Sequence, residues 1–252
     1  MDLPQYLIRK LYPQATVRRV LRGPLRGWRF EVVSGMGLTY ALGLDHLNFC
    51  FLSKHLRSGQ TVYDIGANAG QMSLFFAART APGGRVLAFE PVPENVARLR
   101  RNLALNGVVS VKVFEVAVAE DDRLRRFNFN PGQHTTGGLS ESRAHAPDSV
   151  EEHDVECLRL DDLLATGEIP PDLIKIDVEG GGLGVILGAS QLLSQHRPML
   201  FFEIHASTAE SPELQALRLL KSVHGYRWFD LQGRELQELK PMWGEPVWCV
   251  VS

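Results

Sequence analysis

Three short stretches hold residues whose types and spacing suit chemistry. In VYDIGANAGQMSLFFAA, Asp64 closes an apolar run, and Gly66 and Gly70 lead straight into a second apolar pattern. In RVLAFEP, Glu90 stands at the end of another apolar run with a proline directly after it. The third group is split between LIKIDVEG, with Lys175, Asp177 and Glu179, and FFEIH, with Glu203 and His205. Residues two apart on a strand project to one side, so Lys175 and Asp177 face the same way, as do Glu203 and His205. Acids and a histidine at strand ends can grip a cationic ligand, accept a proton or hold a hard metal ion.

The glycine loop selects among ligands. A dinucleotide fold needs G-x-G-x-x-G, so that the backbone can approach a pyrophosphate at a helix N-terminus. Read from Gly66 the chain has G-A-N-A-G-Q, with Asn68 at the second glycine and Gln71 at the third. NAD and FAD are therefore disfavoured, and no P-loop pattern occurs. S-adenosylmethionine carries no phosphate and asks only that the loop pass close, which Gly66 and Gly70 permit. Its ammonium wants a carboxylate or carbonyls, and its carboxylate suits a helix N-terminus. Its ribose hydroxyls want an acid at the end of the second strand, where Glu90 stands; such charge-assisted hydrogen bonds contribute roughly 1.5–3 kcal/mol each. Taken singly, the loop is equally a tight turn and Glu90 a solvated strand end. Together, on successive strands, they predict the adenosyl ligand.

Those strands belong to a regular alternation. Strands are expected at 61–66, 85–90, 111–118, 173–177 and 199–205, with helices at 71–80, 93–105, 183–193 and 212–223 between them. Near-continuous apolar strands alternating with helices imply a parallel sheet covered on both faces. Two further strands, 226–231 and 246–251, close the chain as an antiparallel pair and bring the sheet to seven. Residues 1–57 read as a preamble with a strand at 28–33, capping a domain that runs over 58–252. Residues 128–153, rich in Gly, Pro, Ser and His, read as an irregular lid or mobile loop. Thr135, Thr136, Gly137 and Gly138 there are candidates for lining an acceptor pocket.

Bulk properties fit this. Hydrophobic residues make up 44% and charged residues 22% of 252, enough for a large core without disulfides. Net charge is −2, which favours neither nucleic acid nor an anionic surface globally. Cys50, Cys157 and Cys249 form no metal-binding spacing and read as buried thiols of a cytoplasmic protein. No apolar run is long enough to span a bilayer, and the first residues lack a secretory signal pattern. One local exception stands out. Arg9, Lys10, Arg18, Arg19, Arg22, Arg26 and Arg29 follow one another without an acid. Such an arm is a solvated face, or it meets an anionic substrate or a membrane surface.

The sequence resembles the FkbM-type methyltransferases, within the Rossmann-like class I S-adenosylmethionine-dependent fold. The resemblance rests on VYDIGANAGQMSLFFA, VLAFEPVPENVARLRRNLALNG, FEVAVAEDD, LRLDDLL, LIKIDVEGG with VILGA, and PMLFFEIH, in that order from Thr61 to His205. It implies cofactor binding by Asp64, Gly66, Asn68, Gly70 and Glu90, with Asn95 and the backbone near Ala117 close to the adenosine. It also implies methylation of a hydroxyl on a small-molecule acceptor: a sugar, a glycolipid or a natural product.

Methyl transfer chiefly requires alignment of acceptor, methyl and sulfur, with a base adding about 10²–10⁴-fold. Asp177 is the first choice for acceptor contact or base. His205 is the second; Lys175 is a further catalytic candidate or else a buried partner of Asp177, and Glu179, in the following turn, binds the acceptor or caps a helix. Asp177, Glu203 and His205 are also the set that would hold a magnesium ion. The chain departs from the family's DVEGxE pattern, with Gly182 and Gly184 where acids are usual. That departure leaves open a catalytically weakened binding module.

Overall fold

The computed structural model describes residues 16–32, 46–129, 137–139 and 151–251; Arg9, Lys10, Thr135 and Thr136 lie outside them. An antiparallel hairpin, β1 (Thr16–Arg19) and β2 (Arg29–Val32), precedes helix α1 (His46–His55). Next come β3 (Thr61–Ile65), α2 (Gln71–Thr80), β4 (Arg85–Phe89), α3 (Pro93–Leu105) and β5 (Val111–Phe114). All of β3 is buried, as is β4 beyond its first residue. A parallel strand sandwiched by helices has no solvated side, hence the unbroken apolar runs. Pro93 opens α3, where a missing N–H costs nothing, and Val96, Leu99 and Leu103 form its inward stripe.

A lateral excursion follows: β6 (Ala117–Val118), β7 (Arg125–Phe129), β8 (Gly137–Leu139), β9 (Glu151–Val155) and β10 (Cys157–Leu158). The chain then returns through α4 (Leu160–Ala165), β11 (Leu173–Ile176), α5 (Gly182–Gly188), α6 (Ser190–His196) and β12 (Met199–His205). It ends with α7 (Pro212–His224), β13 (Tyr226–Phe229) and β14 (Trp243–Val251).

The main sheet has seven strands in the order β13-β14-β12-β11-β3-β4-β5. Neighbours from β12 to β5 are parallel, and β14 runs antiparallel between β12 and β13. This is the class I methyltransferase arrangement that the strand–helix alternation and the antiparallel tail led one to expect. Alternate residues of β3 feed separate cores: Val62 joins the layer with Leu74, Phe75 and Phe76, whereas Tyr63 and Ile65 join the one with Leu192, Phe202 and Leu217. From β3 the chain winds to β4 and β5 on one side and later to β11 and β12 on the other. The crevice beyond the carboxyl ends of β3 and β11 is the point where such sheets bind ligands. No helix among the described residues is long and apolar enough to cross a membrane.

Three expectations are corrected. The strand foreseen at 111–118 is two, because Ala117 and Ala119 take the carbonyls of Glu156 and Leu158 instead of continuing beside β4. The helix foreseen at 183–193 breaks at Ala189 into α5 and α6. The described ends of 128–153 are not irregular but strands, in a sheet ordered β8-β7-β9. Its ribbon is largely polar, with an Arg126–Glu152 ion pair at 3.2 Å and Phe127 packed near Val155 and Cys157. An amphipathic alternation is what that segment lacks. Among the thiols, Cys157 and Cys249 are buried and Cys50 only half so.

The glycines of α5 have a packing role. A Cβ on Gly182 would stand 2.6 Å from Cζ of the buried Phe202, and one on Gly188 would stand 2.0 Å from the Ala119 carbonyl oxygen. A Cβ on Gly184 meets nothing nearer than 3.6 Å. Gly182→Ala should therefore lower stability by about 1–3 kcal/mol through overpacking. Gly184→Ala should raise it by up to about 1 kcal/mol through helix propensity. Urea denaturation midpoints of the two variants distinguish these outcomes.

Candidate active site

The loop from β3 to α2 wraps the end of β4. Amides of Gly66 and Ala67 both donate to the Phe89 carbonyl at 3.0 Å, and the Asn68 amide donates to Glu90 Oε2 at 2.8 Å. Gly66 and Gly70 have φ of 77° and 87°, and Asn68 has 49°. The left-handed region favours glycine and tolerates asparagine, whose Oδ1 here accepts from the Ala69 amide at 2.7 Å. Packing gives the glycines a second reason. A Cβ on Gly66 would lie 2.0 Å from the Asp177 carbonyl oxygen, and one on Gly70 2.2 Å from Leu99 Cδ1. The loop is thus clamped between the end of β11 and α3.

Glu90 is buried, and its carboxylate accepts three hydrogen bonds: Asn68 N to Oε2, and Val92 N and Asn95 Nδ2 to Oε1, the last two at 3.1 Å. Asn95 is held in turn by Arg98 Nη2, which donates to its Oδ1 at 3.0 Å. Burial pushes the Glu90 carboxyl above its ordinary value, and the bonds from Asn95, Val92 and Asn68 recover part of that shift. A carboxylate has about four acceptor positions, and three are taken. The remaining position, on Oε2, fits one ribose hydroxyl of an adenosyl ligand.

The second group centres on Lys175, which is 4% exposed. Its Nζ donates to the Gly66 carbonyl at 2.8 Å and pairs with Asp177 Oδ2 at 3.1 Å and Asp64 Oδ1 at 3.3 Å. Asp64 is fully buried; Ser73 Oγ donates to its Oδ2 at 2.6 Å, and Oδ1 has the Lys175 charge beside it without an aligned donor. Burial opposes the lysine's charge, but Asp177, Asp64 and Glu203 outweigh it and hold the ammonium above its ordinary value.

On the other side of Asp177, His205 Nε2 lies 3.0 Å from Oδ1 and 3.7 Å from Glu203 Oε1. Burial works against ionisation of Asp177, yet Lys175 and His205 bring its carboxyl down to about 2. Burial also lowers the proton affinity of His205, and the Asp177 bond with the charges of Asp177, Glu203 and Glu179 reverses that, raising it. The Asp177 side chain is 34% exposed against 8% for His205, so Asp177 is the member that can meet a second substrate.

The structure therefore joins Asp64, Lys175, Asp177, Glu203 and His205 in one chain of charges, and Asn68, Glu90 and Asn95 in another. Lys175, on the Gly66 carbonyl, links the two. Glu179 is half-buried in the turn after β11. Ala117 stands in the β6–β10 pair, its amide donated to the Glu156 carbonyl at 2.9 Å. Asp177, Glu203 and His205 each bring one ligating atom within 4.8 Å of the others. Both Asp177 oxygens are nevertheless already matched to cationic donors, so a divalent ion there would face the Lys175 ammonium; the residues do not suit magnesium.

Sequence reasoning overlooked Glu213, which is 1% exposed and accepts from the Gly180 amide at 2.6 Å, pinning the turn after Asp177 to the start of α7. Its signal was an acid in the first turn of a helix, at PEL, where the dipole favours one. It also passed over Ser73 and Asn102, whose Nδ2 donates to the Ala69 carbonyl at 2.8 Å.

Comparison with known proteins bears on this geometry. A family model described as the methyltransferase FkbM domain matches residues 64–228. The chain is 31% identical over 196 residues to the 31-O-demethyl-FK506 methyltransferase FkbM of Streptomyces tacrolimicus, covering 67% of this chain and 75% of that protein. It is 26% identical to the hexuronic acid methyltransferase AglP of Haloferax volcanii, over 62% of this chain and 60% of that one. The solved FkbM methyltransferase of Methylobacillus flagellatus is 18% identical, with a TM-score of 0.49, over 76% of this chain and 43% of its own.

The buried charges make a direct prediction. Lys175→Met leaves Asp64 and Asp177 without their shared cation and should cost about 3–5 kcal/mol of stability. Adding Asp64→Asn removes one uncompensated charge and should restore part of that loss. Chemical denaturation of the single and double variants checks both.

Proposed function

The chain belongs to the FkbM methyltransferase family, and from that premise we propose that it methylates a hydroxyl on a sugar, glycolipid or natural-product acceptor. Its family and fold make it an S-adenosylmethionine-dependent methyltransferase. The finer reading draws on the names of two relatives, one a methyltransferase for 31-O-demethyl-FK506 and the other for hexuronic acid. The observation that carries it is the half-exposed Asp177 carboxylate, held by Lys175 and backed by His205 at the strand ends beside the glycine loop.

S-adenosylmethionine supplies a methyl carbon on a positively charged sulfur, already a good leaving group. The chain's own residues supply position and a proton path. Glu90 would receive a ribose hydroxyl on its remaining acceptor position, with Asn68 and Asn95 fixing its orientation. Asp64 acts through Lys175, whose hold on the Gly66 carbonyl sets the loop. Asp177 accepts the hydrogen bond of the acceptor hydroxyl. While His205 carries a proton, Asp177 faces two cations and is a poor proton acceptor. Once His205 is neutral, Asp177 is released and His205 offers the departing proton a resting place. The close contact at Gly182 gives that glycine a packing role, whereas Gly184 has no comparable contact.

Turnover should rise with pH through a midpoint above the ordinary histidine value of 6.5, because His205 holds its proton more tightly than usual. Asp177→Asn should lower turnover about 10²–10⁴-fold while leaving S-adenosylhomocysteine affinity unchanged. His205→Gln should abolish the acidic limb of the profile. A pH–rate profile of the three proteins on a panel of hydroxylated acceptors is the test, and unchanged turnover in Asp177→Asn would overturn the assignment.

Cofactor binding is separable. Glu90→Gln should weaken S-adenosylhomocysteine about tenfold to a hundredfold by calorimetry, corresponding to one lost charged hydrogen bond. Glu90→Ala would also strip acceptors from Asn68, Val92 and Asn95, so glutamine is the cleaner variant.

A further inference from the structure

The β1–β2 hairpin carries more positive charge than its fold requires. Residues 16–32 hold five arginines against Glu31 alone, in a chain whose net charge is −2. Glu31 is engaged by Arg101 of α3 at 2.7 Å. All five arginines are exposed, and among the described residues the side chains of Arg19, Arg22, Arg26 and Arg29 have no carboxylate partner. The register sets Arg19 directly opposite Arg29, and like charges across an antiparallel pair destabilise it.

Strand alternation assigns the faces. Val20 and Phe30 turn inward, while Val17, Arg19 and Arg29 turn outward beside Leu21, Arg22 and Arg26 of the connecting turn. Val17 is 47% and Leu21 59% exposed, so the cations surround aliphatic side chains that water disfavours. The hairpin is held firmly: Asn102 Oδ1 accepts from the Glu31 amide at 2.7 Å, and Asn106 exchanges two hydrogen bonds with the Arg29 backbone. Beneath it lies a small pocket lined by Val20, Arg22, Leu25, Phe30, Phe49 and Gln71, the last directly following the glycine loop.

We propose that this hairpin docks the enzyme on an anionic lipid surface. Arginine forks match phosphate headgroups, and aliphatic side chains between them enter the interface below those headgroups. A nucleic acid would satisfy the charges but offers Val17 and Leu21 no apolar layer. The reading is independent of the acceptor, since it is measured without turnover.

The test is cosedimentation of the full chain with vesicles of phosphatidylcholine alone or with about one third phosphatidylglycerol. Binding is expected to the anionic vesicles only, weakening as salt rises. Arg19→Gln with Arg26→Gln should reduce it about 25-fold, at about fivefold per arginine. Leu21→Asn should reduce it severalfold with both arginines intact. S-adenosylhomocysteine affinity, unchanged in every variant, shows that the fold survives. Absence of binding to either vesicle, equal binding to both, no effect of Leu21→Asn, or displacement from anionic vesicles by a duplex oligonucleotide would each overturn the proposal.

Discussion

A single buried ammonium organises the face at the carboxyl ends of the central strands. Lys175 lies where the sheet's winding changes direction, and its Nζ reaches the Gly66 carbonyl, Asp64 and Asp177 at once. Removing a charge from water is costly unless its partners are close and well placed. Here two strands supply them, β3 through Asp64 and the loop, and β11 through Asp177. The lysine therefore does more than neutralise an acid. It makes the position of the glycine loop and that of the Asp177 carboxylate depend on one another, so the two form one electrostatic unit.

Close packing completes that unit. Gly66 lies against the Asp177 carbonyl and Gly70 against Leu99, so neither position accepts a Cβ without moving backbone or core. The same device recurs at Gly182 under Phe202 and at Gly188 against Ala119. These contacts bring α5 down onto β12 and onto the segment after β6, and Glu213 secures the intervening turn. Rigidity on this side suits a reaction that depends on alignment more than on acid–base strength.

Much of this was legible in the residues. Strands with helices on both faces are apolar throughout, and helices show their inward stripe every three or four positions, so β3, β4, α2, α3 and α7 were placed nearly to the residue. Glu90 and Asp177 were marked by chemistry at strand ends. The polar ribbon of β7 and β9 was missed because pairing between strands, not an apolar face, makes it a sheet. The break between α5 and α6 was missed because both halves continue one apolar pattern, and only the contacts with Phe202 and Ala119 reveal what Gly182 and Gly188 serve.

The amino-acid sequence alone determined the fold class, the order of its strands along the chain and the identity of the acids at their ends. Local periodicity and turn chemistry are properties of neighbouring residues, and they survive in a one-dimensional reading. Only the tertiary structure decided that Asp64 faces Lys175 instead of open space, that Glu90 keeps a single acceptor position, and that His205 stands behind Asp177. Those facts depend on which side chain reaches which across neighbouring strands and loops, a relation that spacing along the chain does not reveal, and burial gives each contact its weight.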